Sequence, residues 1–93
     1  MLILGTGLRI ASKQDREAAR ALPDEYLRLT SPPRERILEL ISRRWGARSE
    51  RERRELTHIL LAIFKTLDRD GAVSEVLRRD CEAIVMHWLE RQR

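Results

Sequence analysis

Three side chains in the second half of the chain have the chemistry of a catalyst: His58, Cys81 and His87. A thiol beside an imidazole makes a nucleophile with its base when the two lie within hydrogen-bond reach. The spacing argues against that pairing. Cys81 and His87 are six residues apart, which on a helix sets them ~120° apart around the axis. They do not meet without a bend. Cys81 shares a helical face with Val73, Leu77, Ile84, Val85 and Trp88, and reads as a small core residue. His58 falls opposite the apolar stripe of its own segment, which predicts exposure. His87 flanks an apolar face with Val76 and Ala83 and reads as a boundary residue. The sequence contains no glycine-rich phosphate loop, no serine nucleophile elbow and no ligand-spaced His/Cys cluster. No catalytic residue and no cofactor are therefore expected.

A calcium loop is the next chemistry to weigh. Asp68, Asp70 and Gly71 match the third, fifth and sixth positions of the EF-hand pattern. The first position would then be Thr66 and the twelfth Leu77, so two of the carboxylates that hold the ion are missing. Asp-Arg-Asp-Gly is sound turn chemistry without an ion, and no metal is expected there.

Arginine is the commonest charged group. Of 19 basic residues only Lys13 and Lys65 are lysine, and the net charge is +4. The surplus is local: residues 34–55 hold eight Arg and five Glu, a net of +3. Arg43, Arg44, Arg48, Arg51 and Arg54 form a set that can meet phosphates. Gly46 between two helical segments adds the punctuation of a helix-turn-helix. A recognition helix, however, holds itself in place by apolar residues in its first turns, and residues 50–55 are charged throughout. Glu50, Glu52 and Glu55 also repel phosphate, and Glu50 with Arg54 makes a self-contained pair one turn apart. No aromatic residues alternate with these arginines, as single-strand stacking would require.

Protein binding is the last candidate chemistry. Leu61 and Met86 lie off the main apolar stripes of their segments, and Val76 and His87 widen the second stripe sideways. With Phe64 they make up the candidate protein-binding set: Leu61, Phe64, Val76, Met86 and His87.

These residues are positioned by a simple helical pattern. Ser12 with Asp15 and Ser49 with Glu52 have capping-box spacing, and Ser74 precedes the last apolar-periodic run. The first helix, from Ser12 to Pro23, has little apolar content beyond alanine and leucine, so peripheral packing is expected, with Tyr26, Leu27 and Leu29 touching the core beyond it. Ser31-Pro32 marks the start of a second helix, with Pro32 at its first position. Ile37, Leu38, Leu40, Ile41 and Trp45 make its stripe, and Gly46 ends it. The third helix runs from Ser49 to Leu67. Its residues Leu56, Ile59, Leu60, Ile63, Phe64 and Leu67 fall within ~140° of the wheel, wide enough for two neighbours. A short link over Asp70–Val73 makes the third and fourth helices antiparallel neighbours. Their long hairpin is the expected spine, with the second helix across it.

Composition sets the frame. The 93 residues make one small domain with 42% hydrophobic and 37% charged residues. One cysteine rules out an internal disulfide and points to a reducing compartment. Residues 1–4 are too short an apolar run for a signal peptide, and no run is long enough to cross a membrane. The expectation is a cytoplasmic all-α domain of three to four helices over residues 12–93, behind an extended N-terminal arm at residues 1–11. Its expected role is non-catalytic: a regulatory or adaptor protein, for example of an anti-activator type, that binds another protein and pairs with itself as a homodimer. The competing expectation is a basic nucleic-acid-binding transcriptional regulator.

Overall fold

The computed structural model describes residues 12–91; the N-terminal arm expected at residues 1–11 lies outside them. Four helices follow one another: α1 (Lys13–Arg28), α2 (Pro33–Trp45), α3 (Glu50–Asp70) and α4 (Glu75–Glu90). No strand occurs among the described residues.

Three of the four helix starts carry a serine cap. Ser12 accepts from the Asp15 amide while the Asp15 carboxylate accepts from the Ser12 amide. Ser49 and Glu52 repeat the arrangement at α3, and the Ser74 hydroxyl accepts from Leu77 at α4. Each satisfies amides that the first helical turn leaves unpaired. The fourth start differs from expectation by one residue. Pro32 is the cap of α2 and Pro33 its first residue, with no side-chain bond to the cap. The extended backbone required before Pro33 takes Pro32 out of the helix.

Two glycines act at helix ends for different reasons. Gly71 takes the left-handed conformation (φ 69°) after α3, and its amide donates to the Leu67 carbonyl. Gly46 has ordinary φ, but a Cβ there would stand 2.5 Å from the Ser42 carbonyl oxygen, so only glycine allows the close turn.

Pro23 does not end α1, which continues to Arg28. A proline inside a helix removes one backbone bond and crowds the preceding turn. α4 grips the turn on either side of the proline. Arg78 donates through Nη1 to the Arg20 carbonyl at 3.0 Å, one residue after the carbonyl that Pro23 cannot serve, and grips the Asp24 carboxylate with both terminal nitrogens. Beyond the proline, Tyr26 is fully buried and holds the last turns down.

The core is one cluster drawn from all four helices. α1 is not peripheral: Ala18, Ala19, Leu22 and Tyr26 are buried in it. Small alanines let α1 lie close to α4, and a ladder of ion pairs lines that seam, with Arg20 to Glu75 at 2.6 Å and to Glu82 at 3.1 Å. α2 and α3 form the other close pair, a long antiparallel hairpin whose two ends are marked by Arg53 to Ser42 (2.9 Å) and Arg36 to Asp68 (3.3 Å). The closest pairs are thus α1 with α4 and α2 with α3. α3 and α4 are antiparallel neighbours, as their short link requires, but they touch sparingly.

Candidate protein-docking face

The sparse contact between α3 and α4 has a defined centre. Trp88 on α4 is buried, and its indole Nε1 donates to the Glu52 carbonyl on α3 at 3.2 Å. Trp45 meets it edge to face with ring centroids 6.3 Å apart. Trp45 in turn donates through Nε1 to the buried Asp15 carboxylate at 3.0 Å, so one carboxyl both caps α1 and ties it to α2. Arg48 lies over the Trp88 ring with its guanidinium carbon 4.5 Å from the centroid. This knot of rings and cations locks one end of the bundle.

Outward of that knot α3 and α4 diverge around an open groove of about 830 Å³. Its walls are Glu50, Arg51, Arg54, Glu55, His58 and Ile59 on α3, with Trp88 and Arg91 from the end of α4. A smaller hollow of about 300 Å³ continues it along α4 over Ala83, Ile84 and His87, sharing Ile59, Trp88 and Arg91. Ile59 and Trp88 are the apolar residues of the larger groove, among charged side chains and His58. Ile59 is 44% exposed and Val76, on the same side of α4, 59% exposed. Burying a branched aliphatic side chain favours folding by about 1.5–3 kcal/mol, and this fold leaves two unburied on one face.

The candidate residues divide on this geometry. Val76 and His87 are exposed on α4, and Leu61 is half-buried on α3, packed against the core. Phe64 and Met86 are corrections. Phe64 is 1% exposed and stacks edge to face on Tyr26 at 5.1 Å, and Met86 is 7% exposed. Neither is available to a partner. The α1 helix, which looked too poor in apolar residues to matter, lies along α4, and the core it completes reaches both side chains. Ile59 is the residue the wheel misplaced. It sits at one edge of a stripe wider than one neighbour requires, and that width was the signal that part of the stripe would stay uncovered.

The arginine cluster is mostly engaged within the chain. Arg43 pairs with Glu39, Arg44 with Glu25 at 2.8 Å and Arg54 with Glu50 at 2.7 Å. Arg48 has a side chain only 11% exposed, bonded to Glu52 and the Trp88 carbonyl, and its Nη1 is buried without a hydrogen-bond partner. Arg51 alone of the five makes no ion pair among the described residues.

The remaining reactive groups are quiet. Burial, with some help from the Asp80 charge, pushes the Cys81 thiol up to about 12, so it stays protonated and unreactive. His58 and His87 are exposed on the groove walls. No group of three or more metal-ligating side chains converges among the described residues, and no helix among them is long and apolar enough to cross a membrane. Comparison with known protein families, curated proteins and solved structures finds no match for the chain.

Proposed function

We propose that this chain is a non-catalytic regulatory or adaptor module that binds protein helices on the face formed by α3 and α4. One observation carries this: Ile59 stands exposed in a charged-rimmed groove beside Trp88, and Val76 stands exposed further along the α4 face that bears Ala83 and His87. Grooves of this kind take the apolar side of an amphipathic helix, with charged rim residues setting its orientation. The bundle end beneath the groove is fixed by the Asp15, Trp45, Trp88 and Arg48 knot. The face is therefore formed before a partner arrives, which lowers the entropic cost of binding.

The nucleic-acid reading draws on the local surplus of arginine, but four of its five arginines are spoken for by carboxylates or by Trp88. Affinity capture with the full chain separates the two. Proteins retained after nuclease treatment by the native chain and by Leu27→Asp, an exposed control on α1, and lost with Ile59→Asp support the docking face. Capture that nuclease abolishes and Ile59→Asp leaves intact supports nucleic acid.

A further inference from the structure

We draw no further inference here: the strongest candidate, the exposed side of α3 and α4 around Ile59 and Val76 with the groove beside Trp88, carries nothing beyond the docking already proposed, because nothing in the structure shows what covers it.

Discussion

Arginine does two kinds of work in this chain, and sequence position does not separate them. Arg36 stacks on Tyr26 at 4.2 Å while bonding to the Ser31 carbonyl and Asp68; Arg48 stacks on Trp88; Arg78 joins the Arg20 carbonyl and the Asp24 carboxylate on either side of Pro23. These are planar, multidentate roles that lysine fills poorly. Arg48→Lys should lower the unfolding free energy by about 1 kcal/mol, the scale of a partly buried cation–π contact, as measured by urea denaturation. Arg54→Lys, at an exposed pair, should be nearly neutral. Tyr26 gives a pH signature. Burial, reinforced by its bond to Asp68 at 2.6 Å, pushes its hydroxyl up to about 12. The folded form keeps its proton where the unfolded chain loses it. The resulting stabilisation is complete below pH 10 and is lost as the pH rises toward 12. An alkaline series of thermal melts should show that decline, and Tyr26→Phe should flatten it. Cys81 should resist thiol reagents in the folded protein and react once denaturant opens the core. Its place in the core was legible from its helical face. The role of Arg48 was not, because a sequence shows which residues are charged but not which guanidinium finds a ring.

At the scale of elements, the helix starts were the most legible feature. Ser12 with Asp15 and Ser49 with Glu52 form the two reciprocal caps that their spacing announces, and Gly71 takes the left-handed turn. These are local effects, decided by residues three or four apart. Pro23 was misleading for the opposite reason. Its local effect is to break a helix, and the turns beyond it are held by distant contacts: the burial of Tyr26 and the grip on Asp24 by Arg78, 55 residues later in the chain. The packing of α1 was illegible on the same ground: its apolar content is small, but alanines admit close approach, and the seam is completed by arginine–carboxylate pairs from α4. Asp15 joins both scales, since its carboxylate serves the α1 cap and the Trp45 indole together. Asp15→Ala should cost about 2 kcal/mol, more than an ordinary cap alone, with near-ultraviolet dichroism of the tryptophans changing alongside. The Arg78 guanidinium holds the Asp24 carboxyl below its ordinary value. The stability this linkage supplies is present above that ordinary value and is lost as pH falls through the depressed one. Asp24→Asn should therefore weaken the dependence of stability on pH in the acid range.

For the whole molecule, the all-α class followed directly from helical periodicity, while the pairing of helices did not. Short links make α2 with α3, and α3 with α4, neighbours in the chain. Which neighbours pack closely depends on the α1–α4 seam, a contact between the two ends of the sequence. That closure leaves α3 and α4 with one shared side uncovered, and the candidate site lies there. Half of it was visible beforehand in Val76, His87 and the excess width of the α3 stripe. The other half, Ile59 and Trp88, emerges only when the fold decides which part of that stripe the chain covers. The central claim is that this uncovered side is where another protein helix docks. Its most direct test is a photo-crosslinking amino acid placed at position 59 of the full chain, with position 27 as the exposed control, irradiated in the cells that make the protein. Protein adducts at position 59 and not at position 27, insensitive to nuclease, are the predicted result. Equal adducts at both positions, or none at position 59, would contradict it.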